Sequence, residues 1–194
     1  MFRSVAHTWW LLALCGLLNL ANAAVHVLVA NPEGALAVRR FALAGTVFDI
    51  SVLALAAAAC AIAVALWSAG KDNSWLLALH GLAMAGFGVI GVSPLVKGSL
   101  SFRPVSLLFA ASAVALAAFA FRALRATLPA TLGLGFAISF LAVGFGGIRL
   151  EPAVYWIWMG SWFAYCAAFM LWAGLRVHSH PPTIPMPTSI AALP

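Results

Sequence analysis

Residues 3–30 read RSVAHTWWLLALCGLLNLANAAVHVLVA, and the fold turns on how that stretch is taken. An arginine, an apolar run and then Ala21-Asn22-Ala23 have the outline of a cleavable secretory signal. Carried on to Ala30, the same letters are long enough to cross a bilayer as a permanent helix. A hydrocarbon core of roughly 30 Å needs about 20 apolar residues. The first reading leaves five apolar runs in the mature chain and the second leaves six. A lipoprotein signal is excluded, because Cys15 follows Leu14 where that processing needs a small residue.

The rest of the chain favours the permanent helix. WLLALCGL at 10–17 returns as WLLALHGL at 75–82, with seven of eight letters kept, Trp and Gly among them. The first, third and fifth apolar runs each end at an X-Pro step: Asn31-Pro32, Ser93-Pro94 and Glu151-Pro152. Proline cannot continue a helix and biases its predecessor away from helical angles, so Pro32, Pro94 and Pro152 suit turns. The unit is therefore a helix, an X-Pro turn and a returning helix, used three times. Cleavage after Ala23 would leave the second helix without its partner, so the first helix is expected to be retained.

Composition fixes the class. Hydrophobic residues make up 65% of the chain and charged residues 7%, against about 25% charged in soluble domains. Six runs, at about 9–30, 41–67, 75–96, 104–121, 128–148 and 153–175, are long enough to cross a bilayer. Nearly all the charge lies in the breaks NPEGALAVRR, SAGKDNS, KGSLSFR, RALRAT and RLE. The runs lack the two-residue alternation of a membrane barrel. The expected fold is an all-α membrane protein of six transmembrane helices in three repeated hairpins, residues 1–176, with a Pro-rich disordered tail at 177–194. The net charge of +6 is spread one or two residues per loop. No basic face for nucleic acid forms, and the partner implied is the lipid bilayer.

Three hairpins with the segments WWLLALCGLL…NP…LAGTVFDIS, WLLALHGLAM…SP…LLFAASAV and LGLGFAISFL…EP…WMGSWFAYC resemble the HdeD-like family of small bacterial inner-membrane proteins. That family has a Trp/Leu/Gly-rich first helix, Pro at the turn, and a returning helix with Gly often followed by Asp. This chain departs from it at Ile50, where the family often has Gly, and in a fourth helix without glycine. The resemblance implies a multi-pass protein of the bacterial inner membrane with cytoplasmic termini. It also implies a role in acid resistance or envelope stress, and no known reaction or cofactor.

Ionisable groups inside membrane helices are costly and therefore informative. Asp49 lies nine residues beyond Arg40, about 13 Å along a helix rising 1.5 Å per residue, near the bilayer centre. A carboxylate there needs a partner or must give up its charge. Cys15, Asn19, Asn22 and His26 follow at spacings of four, three and four, which puts them on one helix face. Asn22 is eight residues back from Ala30, about 12 Å deep, and so level with Asp49 in an antiparallel hairpin. His80 holds, in the second copy of the echo, the place of Cys15. Asp49, Asn19, Asn22, His26 and His80 thus form a candidate intramembrane polar cluster. Two readings stay open: interhelical hydrogen bonding that fixes packing, or a site that moves protons or binds a small solute.

Glycines have a plainer reading. Gly16, Gly81, Ala85, Gly88 and Gly135 are small residues that let helix backbones approach, and no Gly-x-Gly-x-x-Gly follows a strand to suggest a nucleotide. The last helix carries Tyr155, Trp156, Trp158, Trp162, Phe163, Tyr165, Phe169 and Trp172, of which those near its ends are expected in a headgroup belt. No spacing supports haem, quinone or a metal, since His178 and His180 are only two ligands. Cys15, Cys60 and Cys166 sit inside apolar runs as small packing residues. No nucleophile–base motif occurs, so the expected role is non-enzymatic: a scaffold or stabiliser of other membrane proteins or of itself. The alternative is a small transporter or channel built on the polar cluster. Basic residues number five on each side of six crossings and do not orient the chain.

Overall fold

The computed structural model describes residues 8–31, 33, 34, 36, 50–68, 73–92 and 102–179. Six long helices run through them: α1 (Trp9–Val29), α2 (Ile50–Trp67), α3 (Trp75–Val92), α4 (Phe102–Arg122), α5 (Thr127–Phe145) and α6 (Pro152–Ser179). No strand occurs among the described residues. Of the six, α1, α4, α5 and α6 are long and apolar enough to cross a membrane, and α2 and α3 contribute the shorter apolar segments Val52–Trp67 and Trp75–Ile90. The outer surface is as apolar as the core: Leu17, Leu20, Leu66, Leu82, Leu128, Ile138, Ile157 and Leu175 are all at least half exposed. Such a surface suits lipid, because soluble proteins seldom expose large apolar patches.

The helices form a ring. α1 packs against α6 and α2, α2 against α3, α3 against α4, and α4 against α5. Aromatic side chains close the ring between α5 and α6, with Phe136 5.3 Å from Trp162 and Phe140 4.7 Å from Trp158 between ring centroids. The axis is filled by Phe109, Phe140, Trp162 and Phe163, each fully buried. Phe109 stacks on Phe140 at 5.0 Å and meets Phe163 edge-on at 6.1 Å.

Small residues set the closest approaches. A Cβ on Gly16 would lie 2.6 Å from Leu171 Cγ and 3.1 Å from the Ala167 carbonyl, one on Gly174 3.1 Å from the Trp9 carbonyl, and one on Gly160 3.3 Å from the Ala23 carbonyl. These three levels make α1 and α6 antiparallel along their length. A Cβ on Gly81 would lie 2.9 Å from the Ala58 carbonyl of α2, and one on Gly133 3.2 Å from the Ala113 carbonyl of α4. Gly16, Gly81 and Gly133 therefore each press one odd-numbered helix onto the helix before it in the ring. Gly88 is buried and Ala85 half-buried against the core. Gly135 is different: a Cβ there would meet nothing within 4 Å. The packing role expected of Gly135 is therefore corrected, because on α5 the side of Gly133 faces the neighbour and Gly135 faces outward.

The most extensive packing joins α1 to α6, α2 to α3 and α4 to α5. Those are not the pairs expected from the X-Pro turns. Pairs α1–α2 and α3–α4 also touch, over less surface. Pro152 opens α6 at its first position, where a missing N–H costs nothing. Pro32 and Pro94 lie outside the described residues.

Several boundaries shift from the sequence expectation. α4 begins two residues earlier than 104, since Pro104 in a first helical turn removes no bond. α5 stops at Phe145 rather than 148, because Gly147 takes a left-handed φ of 70° that ends the helix. α6 runs on to Ser179, so the first three residues of the expected tail are helical. There Val177 is buried and the His178 ring sits 4.6 Å from that of Trp9. Residues 180–194 lie outside the described residues, as do 41–49 of the expected second helix and 93–96 of the third.

Candidate functional site

The polar face of α1 is built as its spacing requires. Cys15, Asn19, Asn22 and His26 are all buried, none more than 1% exposed. Each looks into the bundle from between α2 and α6. The Cys15 thiol donates to the Ala57 carbonyl of α2 at 3.4 Å. His26 lies against Phe163 and Trp156 of α6, at centroid distances of 4.7 and 5.5 Å. The remaining polar contacts turn back onto α1 itself. Asn19 Nδ2 donates to the Cys15 carbonyl at 2.9 Å, and His26 Nδ1 lies 2.8 Å from the Asn22 carbonyl, donating in the tautomer that carries its proton there.

That leaves polar capacity unused. Asn19 Oδ1 and both side-chain polar atoms of Asn22 are buried without a hydrogen-bond partner among the described residues. An amide left so costs about 1–3 kcal/mol. Asp49, the sequence's candidate partner, lies outside the described residues.

His80 does not join this face. Its Nδ1 lies 2.7 Å from Ser112 Oγ, in a buried contact between α3 and α4. It sits five residues from the start of α3, whereas His26 lies three residues from the far end of α1. Cys15 at Ala57 and Gly81 at Ala58 set His80 level with Cys15, about 16 Å along the bundle from His26. Among the described residues the polar groups fall into the α1 face and a His80–Ser112 pair, while Asp49, the centre of the expected cluster, lies outside them.

Other buried polar groups escape a reading of the sequence. Ser112 is the one hydroxyl in the run AASAVALAA, and nothing in its spacing marks it. Ser106 is fully buried with its Oγ unpartnered among the described residues, and a Cβ on Gly144 would fall on it. Trp162 Nε1 is likewise buried and unpartnered among the described residues, although the aromatic run in the middle of α6 signals only belt or core. Trp158 Nε1 donates to Ser139 Oγ at 3.2 Å, and the Tyr165 hydroxyl to the Pro129 carbonyl at 2.8 Å. These two bonds clasp α6 to α5.

Cys15, Cys60 and Cys166 are free and buried. No group of three His, Cys, Asp or Glu that could hold a metal occurs among the described residues. The polar side chains on view are amides, imidazoles and hydroxyls in an apolar bundle. Comparison with protein families, with curated proteins and with solved structures finds no match to this chain.

Proposed function

We propose that the protein is a six-pass integral membrane protein of the bacterial inner membrane, with cytoplasmic termini. Its role is that of a non-enzymatic scaffold or stabiliser in acid or envelope stress. The observation that carries the scaffold reading is the filled axis, where Phe109, Phe140, Trp162 and Phe163 interlock from three helices. A core of interlocked rings leaves little free space, which suits a body that other membrane proteins, or further copies of the chain, rest against. The stress role draws its support from the resemblance of the hairpin pattern to HdeD-like proteins. Support for a threefold internal repeat comes from Gly16, Gly81 and Gly133, each on the preceding helix in the ring. The segment LPATLGL at 128–134 keeps the Leu, Ala, Gly and Leu of LLALCGL at 11–17.

The test is paired. Vesicles reconstituted with the purified protein are expected to hold an imposed pH gradient as well as empty ones. Cells lacking the protein are expected to survive acid challenge less well. Gradient collapse above that of empty vesicles would overturn the scaffold reading.

A second reading, a small transporter or channel, is favoured by the unpartnered amides of Asn19 and Asn22. Under both readings we assign the missing partner to Asp49. The Cys15–Ala57 bond sets a register in which Asn22 is level with residue 50, the residue after Asp49 in the sequence. In a scaffold this pair is glue, and in a transporter it is the site.

A further inference from the structure

Between α4 and α5 an apolar groove of about 490 Å³ opens on the outside of the bundle. Val114, Ala117, Ala118 and Phe121 form one wall, and Ala130, Thr131 and Leu134 the other. Arg122 and Thr127 stand at its mouth. From Val114 to Arg122 the groove runs about 12 Å along α4, close to half of a roughly 30 Å hydrocarbon core. Its mouth is at the end of the bundle where Trp9, Trp10, Trp67, Trp75 and Trp172 are exposed, the mark of the headgroup level. The groove thus has the depth of one leaflet and opens where phosphates lie.

Charge chooses the occupant. Among the described residues this end carries Arg122, Arg125 and Arg176 and no acid, whereas at the other end Arg103 and Arg149 are balanced by Glu33 and Glu151. The Arg176 guanidinium is engaged 5.2 Å over the Trp172 ring. Arg122 lines the groove and has no ion pair among the described residues. Arg125 holds a left-handed φ of 53° in the turn that joins the two walls, where glycine would be less strained.

We infer that this groove binds an anionic phospholipid, with one acyl chain along the α4–α5 walls and the phosphate on the Arg122 guanidinium. Guanidinium recognises phosphate with two parallel hydrogen bonds, and the apolar walls give the chain a fixed place that bulk lipid does not. A second groove on the other side of α5, lined by Leu128, Pro129, Leu132, Tyr165, Ala168, Phe169 and Trp172, has no cation in its lining. It offers the same apolar contact without the headgroup partner. The inference holds for a scaffold and for a transporter alike, since it concerns the lipid face.

The experiment is native mass spectrometry of the delipidated full-length protein in detergent. Palmitoyl-oleoyl phosphatidylglycerol and the matching phosphatidylcholine are added in competition, with glycerol phosphate as a soluble headgroup. Preferential retention of phosphatidylglycerol is expected. Arg122→Gln should cut that preference about fivefold, and Arg176→Gln should leave it intact. Ala118→Phe, which fills the groove, should remove the preferred lipid while Arg122 stays in place. If that variant does not fold, Val114→Phe, at an exposed position deep in the groove, makes the same test. Equal retention of both lipids would overturn the proposal, as would equal losses from Arg122→Gln and Arg176→Gln. So would displacement of the lipid by glycerol phosphate, or unchanged binding once the groove is filled.

Discussion

Helices α1 and α5 flank α6 and meet it in opposite ways. Against α1, α6 presents Gly160, Ala167 and Gly174, and α1 answers with Gly16 and Ala23, so closely that a Cβ added at any of the three glycines would press on a carbonyl of the facing helix. Toward α5, α6 presents Trp158, Trp162 and Tyr165, which hold the two backbones apart and reach across with ring contacts and two hydrogen bonds. The two apolar grooves lie on either side of α5. In lipid the hydrophobic effect does not press helices together, so contact area and hydrogen bonds decide. Small residues give contact by closeness. Large rings give it by span, and leave room for lipid beside them.

The largest expected effect is at the rings between α5 and α6. Phe140 is fully buried and touches Phe109, Phe136, Trp158 and Trp162. Phe140→Ala is expected to cost about 3 kcal/mol and to lower the melting temperature in detergent more than any glycine or asparagine substitution on the α1 side. A loss below about 1 kcal/mol would mean that α5 is not held by its rings.

The glycine side is tested by the same substitution at two places. Gly16→Val must drive a side chain into Leu171 and the Ala167 carbonyl, and should cost about 2 kcal/mol. Gly135→Val meets open space and should change stability by no more than about 0.5 kcal/mol. Equal effects in a thermal melt would erase the distinction between the two faces.

Asn22 sharpens it further, because the α1 face is also where the polar groups lie. Asn22→Leu is expected to cost about 1 kcal/mol, the usual scale of an interhelical hydrogen bond in a membrane. In an Asp49→Leu background it should cost nothing. Additive losses in that double-mutant cycle would separate the two residues. The smallest expected effect is at the turn into α5. Arg125→Gly relieves a left-handed conformation costing about 1–2 kcal/mol but adds unfolded-chain entropy. A net gain of about 0.5 kcal/mol should register as a slightly higher melting temperature.

How much of the molecule is legible in its sequence varies with the physics involved. The helices are legible because each apolar run is continuous and each break collects charge. The α1 face is legible because spacings of four, three and four leave only one face of a helix. The choice between Gly133 and Gly135 is not, since two residues on a helix point roughly opposite ways and both are glycine. Neither is the splitting of His80 from His26, which depends on Ser112 meeting His80 across α3 and α4. A serine in an alanine run carries no periodic signal. The closest pairs also escape the X-Pro pattern, because turns fix which helices are joined and small residues fix which ones touch. The end of α6 is hidden because Arg176 has the look of a boundary, whereas its guanidinium folds over Trp172 and the helix continues.

Everything on the close-packed side depends on α1 remaining in the bundle. Leu12, Cys15 and Asn19 are buried in it, and without α1 the residues Ala167, Leu171 and Gly174 of α6 would lose the helix they pack on. The intact mass of the protein purified from membranes tests this most directly. A mass that includes the Ala21-Asn22-Ala23 segment and everything from Arg3 onward is the expected result. A mature chain that begins at Ala24 would contradict it.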